Sequence, residues 1–142
     1  MNYDTRGQKM LIADSDRTVL EMLQIRLDVA GYHTCAARTG PMVLELLQNF
    51  RPAVLVLDLN LPELDGFGVL ETLTQRCNRL PVPTLVMGKA LAAEDIQRAI
   101  QLGARDCMAK PFSGAHALER VARLLRKPTP PQRPVHYVDA VR

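Results

Sequence analysis

Five short apolar runs, each followed by a longer segment whose apolar residues recur every three or four positions, set the strongest constraint on this chain. The runs are "KMLIA" (9–13), "YHTCA" (32–36), "AVLVL" (53–57), "PTLVM" (83–87) and "DCMA" (106–109). Runs of that length suit strands, and the spacing between them suits helices that bury one face, so the alternation predicts βα units around a parallel sheet. Three of the runs are too apolar to alternate, which requires helices on both faces of the sheet.

The spacing predicts helices over 17–30, 41–49, 66–76, 93–102 and 114–126. The first carries Leu20, Leu23, Leu27 and Ala30 on one face, is capped by Ser15 or Asp16, and closes at Gly31. The second follows Thr39 and opens with Pro41, which a first helical turn tolerates. The fourth is expected to turn Ile96, Ala99 and Ile100 inward and to end at Gly103. The fifth is capped by Ser113, is expected to bury Leu118, Val121, Leu124 and Leu125, and stops before Pro128.

At 142 residues and 47% hydrophobic content, one domain with a tail is expected: a body over 1–126 and a Pro/Arg-rich extension over 127–142. "PTPPQRP" suits a polyproline-type extension. "VHYVDAVR" then suits a docking segment, an edge element or a frayed end. The formal net charge is +3, yet Arg120, Arg123, Arg126, Lys127, Arg133 and Arg142 face only Asp139 in the last stretch, so the body is net acidic. A basic end suits an anionic partner, and it equally suits a solvated tail. No run approaches the length of a membrane span and the amino end lacks the layout of a secretory signal, so a cytoplasmic protein is expected. Cys35, Cys77 and Cys107 form no CxxC pair and are expected to be small buried residues.

In an open parallel sheet, reactive groups gather beyond the carboxyl ends of the strands. Asp14 and Asp16 follow the first strand, Asp58 the third, and Lys110 the fifth. Each acid alone is ordinarily a cap or a strand terminator. Together, carboxylates in one crevice repel unless a cation such as Mg²⁺ sits between them, and a lysine opposite can hold a phosphate oxygen. That set describes a carboxylate that accepts a phosphoryl group.

The stretches "MLIADSD", "LVLDLNLPELDGFGVL", "PTLVM" and "LGARDCMAKPF" resemble the receiver domains of bacterial two-component response regulators, the CheY-like group. The resemblance implies an α/β fold, a (βα)5 doubly wound five-stranded sheet in the order 2-1-3-4-5, and a non-enzymatic signalling role. It implies Asp58 as phosphoacceptor, Asp14, Asp58 and the Asn60 carbonyl as Mg²⁺ ligands, and Lys110 as the phosphate contact. Pro62 and Gly66 match the loop that shapes the pocket.

Three positions depart from that pattern. Ser15 stands where a second acid is usual, so weaker Mg²⁺ binding is expected. Gly88 stands where a Ser or Thr hydroxyl is usual, and Lys89, at a position usually held by a small residue, either reaches over the pocket to pair with Asp58 or lies in solvent. Cys107 stands in place of a switch aromatic. Phosphorylation is therefore expected to change the face made by the fourth helix, fifth strand and fifth helix only little. A lone receiver with an arginine-rich end also resembles the Cle group of CheY-like proteins. That resemblance implies cyclic di-GMP bound by Arg120, Arg123, Arg126, Lys127, Arg133 and Tyr137, and contact with the flagellar motor switch. The alternative is an ordinary receiver phosphorylated on Asp58 by a histidine kinase. Nucleic-acid binding by the tail has the charge but no reading module.

Overall fold

The computed structural model describes residues 7–126. Lys127, Arg133 and Tyr137 lie outside them, as does the extension as a whole. Five strands, β1 (Lys9–Ala13), β2 (His33–Ala37), β3 (Val54–Asp58), β4 (Thr84–Lys89) and β5 (Asp106–Lys110), alternate with five helices, α1 (Arg17–Val29), α2 (Gly40–Asn49), α3 (Gly66–Cys77), α4 (Ala93–Gln101) and α5 (Gly114–Leu125). All strand pairs are parallel, and the order is β2-β1-β3-β4-β5, as expected from the sequence.

The sheet divides the core into two layers. Met10, Ile12, Val56, Met87 and Met108 pack with α1 and α5 on one face, while Leu11, Leu55, Leu57 and Val86 pack with α2 and α3 on the other. Strand β3 is buried along its whole length, and β1 and β4 are exposed only at one terminal lysine each. Each leucine fully buried this way contributes about 1.5–3 kcal/mol.

Side-chain caps set most helix starts. Asp16, not Ser15, caps α1 by accepting from the Thr18 and Val19 backbone N–H groups. Thr39 caps α2 and Ser113 caps α5. Gly31, at φ 100°, follows α1 in a backbone conformation that disfavours any side chain.

Several expectations fail for local reasons. Ile96 and Ile100 are 39% and 47% exposed; only Ala99 of that trio is buried, because the small alanine makes the close contact and both isoleucines lie to one side of it. Ala30 is exposed, since it is the C-cap rather than part of the buried stripe. Leu118 and Leu125 are half-buried, and Ala117 takes the inward place. Cys77 is exposed at the end of α3, while Cys35 and Cys107 are half-buried.

Candidate functional site

Side chains alternate along a strand, so a residue two places past a core residue shares its face. Asp14, Asp58, Lys89 and Lys110 stand two places after Ile12, Val56, Met87 and Met108, which all belong to the layer packed by α1 and α5. Four charged groups thus leave the core on one face, at the carboxyl end of the sheet.

Lys110 joins the two acids. Its Nζ donates to Asp14 Oδ2 at 2.6 Å and lies 3.2 Å from Asp58 Oδ1. Asp14 and Asp58 are 1% and 2% exposed. The second Asp14 oxygen accepts from the Asp16 backbone N–H at 2.9 Å. At 3.2 Å the Lys110 ammonium pairs with Asp58 Oδ1 in charge, and this buried oxygen has no closer or better aligned donor among the described residues. A reactive, unsaturated oxygen is what a nucleophile requires.

Burial raises the Asp58 pKa above the ordinary carboxylate value, and the Asp14 charge raises it further; Lys110 and the Asn60 backbone N–H oppose this without cancelling it. For Lys110, burial alone would lower the pKa, but the hydrogen bond to Asp14 and the charges of Asp58 and Asp14 prevail and hold the ammonium above its usual range. The lysine is therefore charged at neutral pH.

The loop from β3 to α3 fixes Asp58. Leu59 N–H donates to the Met87 carbonyl and Gly66 N–H to the Leu59 carbonyl, both at 3.0 Å. A Cβ on Gly66 would stand 2.7 Å from Leu59 Cα and 2.8 Å from the Asp58 carbonyl oxygen, so only glycine lets the start of α3 pack against the backbone of the acid. Asp65 caps that helix through the Gly68 N–H at 2.8 Å. A cis peptide joins Lys110 to Pro111.

Receiver domains commonly hold Mg²⁺ at this acidic end, but the residues here do not fit the usual site. Ser15 brings no charge, and Asp16 is committed to capping α1. Both remaining carboxylates are already met by Lys110, and Arg38 places a guanidinium on the Ser15 carbonyl at 3.1 Å. Among the described residues no group of three or more His, Cys, Asp or Glu side chains could hold a metal. The Asp14, Asp58 and Asn60 ligand set expected from the sequence is one carboxylate short.

Gly88 precedes Lys89 on β4 and faces the opposite layer, toward Leu91 and Leu59. A Cβ there would stand 2.7 Å from Leu91 Cδ2, so the Leu91 side chain fills the space a Ser or Thr would take. Nothing in the sequence up to β4 signals this, because Leu91 comes from the loop that follows. Cys107 is half-buried and has no ring to move; burial, then the Asp106 charge, raises its thiol pKa.

A groove of about 450 Å³ is lined by Asp16, Val19, Met22, Lys89, Pro111 and Phe112 together with Lys110, the lysine that also pairs with the two acids. The arginines of α5 stand elsewhere. Arg120 pairs with Asp106 at 2.8 Å and donates to the Cys107 carbonyl at 3.2 Å, bracing α5 on β5. Arg123 pairs with Glu119 at 2.8 Å along the helix, and Arg126 is exposed at its end. Two of the six residues expected to bind cyclic di-GMP are thus engaged within the body. Among the described residues no helix is long and apolar enough to cross a membrane.

Comparison with known proteins agrees with this geometry. Residues 10–122 match the family model of the response regulator receiver domain. The alkaline phosphatase synthesis transcriptional regulatory protein PhoP of Bacillus subtilis is 33% identical over 85% of this chain and 50% of its own length. The response regulator MprA of Mycobacterium sp. is 34% identical over 89% of this chain and 54% of its own. The chain thus spans about half the length of the curated relatives it matches. Among solved structures, chemotaxis response regulator CheY4 of Vibrio cholerae superposes with a TM-score of 0.77 at 26% identity, covering 84% of this chain and 99% of that one. The receiver domain of Francisella response regulator 1452 gives 0.77 at 27% identity, covering 84% and 97%. With the match extending from β1 into α5, this chain belongs to the response regulator receiver domain family.

Proposed function

We propose that this chain is a signalling receiver that takes up a phosphoryl group on Asp58 from a histidine kinase. The observation that carries the reading is the buried set of Asp14, Lys110 and Asp58, in which both Asp14 oxygens hold short hydrogen bonds while Asp58 Oδ1 has only the looser 3.2 Å contact with Lys110. Asp58 acts as nucleophile, and Lys110 holds an oxygen of the incoming group in line. The groove lined by Val19, Met22 and Phe112 gives a donor an apolar seat that shares Lys110 with the acid. Incubation with a small phosphodonor such as acetyl phosphate, followed by intact mass, is expected to show one added phosphoryl group that Asp58→Asn abolishes. An unmodified wild type, or an equally modified variant, contradicts the reading.

The state of Asp58 is weakly relayed to the face formed by α4, β5 and α5. Gly88 has no hydroxyl to swing, Leu91 fills the space, and Cys107 has no ring. Partner binding then depends on another input. A second reading supplies one: the arginine-rich end binds cyclic di-GMP and controls contact with a protein such as the flagellar motor switch. It is favoured by the exposed Arg126 at the end of α5 and by Lys127, Arg133 and Tyr137 after it in the sequence. Guanidinium groups bind phosphates bidentately and stack on bases. With Arg120 and Arg123 already paired, these four residues would carry the affinity. Calorimetry is expected to give heat with cyclic di-GMP for the full chain and none for Arg126→Ala/Arg133→Ala. Equal heat from both, or none from either, removes this reading.

A further inference from the structure

The misfit between these residues and a divalent metal site has a counterpart one strand away. Lys89 is the register partner of Lys110 on the neighbouring strand, so the two lysines stand side by side at the ends of β4 and β5. Both line the same groove, and by the alternation of the strand Lys89 lies on the sheet face that carries Asp14 and Asp58. Among the described residues no carboxylate pairs with Lys89, whereas Lys110 is held by two. Where a third acid would add negative charge there is Ser15, and where a small neutral residue is usual there is a cation. Lys110 pairs with both carboxylates, and Lys89, exposed on the neighbouring strand, brings a second positive charge to the same end of the sheet, so the four charges sum to zero before any metal enters. A divalent cation gains little from such a site, and a phosphoryl dianion is no longer repelled by it.

We propose that Lys89 supplies the positive charge that a divalent cation supplies in a three-carboxylate site, so that Asp58 accepts a phosphoryl group with little dependence on metal. The inference rests on the phosphoacceptor reading of Asp58. An Asp58 carboxylate oxygen forms a bond to phosphorus while the donor's bond breaks, P–O in an acyl phosphate or P–N in a phosphoramidate. The leaving group departs with that electron pair; acetate leaves as the anion, and an amine takes a proton from water. Lys110 and Lys89 then face the non-bridging oxygens from two adjacent strands, where charge stabilisation is the main help a protein can give to this transfer. The lysine stem is long enough to reach over the groove, and its exposed position leaves it free to do so.

The test is the rate at which acetyl phosphate labels the full chain, read by intact mass, with Mg²⁺ and with a chelator in its place. In the wild type the two rates are expected to agree within about threefold. Lys89→Ala is expected to slow labelling in chelator by about tenfold or more, with Lys89→Arg keeping most of the rate because it keeps the charge. Mg²⁺ calorimetry gives a readout apart from labelling: Ser15→Asp/Lys89→Ala is expected to bind the ion about tenfold more tightly than wild type. Labelling of the wild type that requires Mg²⁺ and ignores Lys89→Ala overturns the role of Lys89 and leaves Asp58 as acceptor. Wild-type Mg²⁺ affinity equal to that of the double variant also overturns it. No labelling in any condition overturns both.

Discussion

Lys110→Met is expected to destabilise the fold by about 3–5 kcal/mol at neutral pH, because it leaves Asp14 and Asp58 buried with no cation between them. The substitution keeps the length and much of the apolar stem, so lost charge rather than lost packing dominates. Lys110 sits at the end of β5, where its ammonium is 10% exposed and hydrogen-bonded to Asp14 at 2.6 Å. Its pKa is raised in the folded state despite burial, owing to the Asp14 hydrogen bond and the Asp58 and Asp14 charges. A lysine shifted in that direction contributes stability fully below its unfolded pKa and loses it as pH rises through the folded one. The gap between wild type and Lys110→Met should therefore be widest around neutral pH, closing in alkali as the lysine loses its proton and narrowing in acid as the carboxylates gain theirs. Urea unfolding across pH measures it. A variant within about 0.5 kcal/mol of wild type at pH 7 would contradict the pairing. Asp58→Asn added to Lys110→Met should recover part of the loss, since the two sites share one cluster.

Asp58→Asn alone is expected to abolish labelling and to stabilise the fold at neutral pH by about 1–3 kcal/mol, the cost of a buried polar group left without a proper partner. The sign follows from the raised Asp58 pKa, caused first by burial and then by Asp14. A carboxyl group shifted upward favours folding most when protonated. Its contribution is complete below the unfolded value, near 3.8, and is lost as pH rises through the higher folded value. Wild type and variant should thus have similar stability in acid, with the variant pulling ahead as pH approaches neutrality. A wild type more stable than Asp58→Asn at pH 7 would mean that Lys110 fully compensates the charge. The two substitutions then report opposite sides of one design: the acid destabilises the fold it serves, and the lysine limits that cost.

The fold was legible because each strand is a compact apolar run and three of the five helices, α1, α4 and α5, carry their own stop signals, Gly31, Gly103 and Pro128. Strand ends were less so. Asp58 and Lys110 belong to the ladders, as Asp58 pairs in register with Met87 and Lys110 with Lys89, although hydropathy ends each run earlier. The same extension decided Lys89. Once β4 runs to that residue, the pleat puts it on the face of Met87, yet its side chain is exposed and makes no ion pair with Asp58, the solvent side of the alternative that the sequence left open.

Asp14, Asp58 and Lys110 could be read from sequence because each directly follows an apolar run, and parallel strands bring such positions together. Leu91 could not, because its packing against Gly88 depends on the path of the loop after β4. Arg120 shows the converse. Its sequence neighbours suggest a free basic end, yet its partner Asp106 lies on β5, and only the docking of α5 brings them together. Ile96 and Ile100 fit an inward stripe by spacing, but periodicity does not say which edge of a stripe meets the sheet.

The position of the phosphoryl group is the most direct measurement. After labelling with acetyl phosphate, borohydride reduction converts an aspartyl phosphate to homoserine, and peptide sequencing by mass spectrometry locates it. Homoserine at position 58, absent from Asp58→Asn, is the predicted result; an unlabelled chain, or homoserine at Asp14 or Asp16, would contradict it.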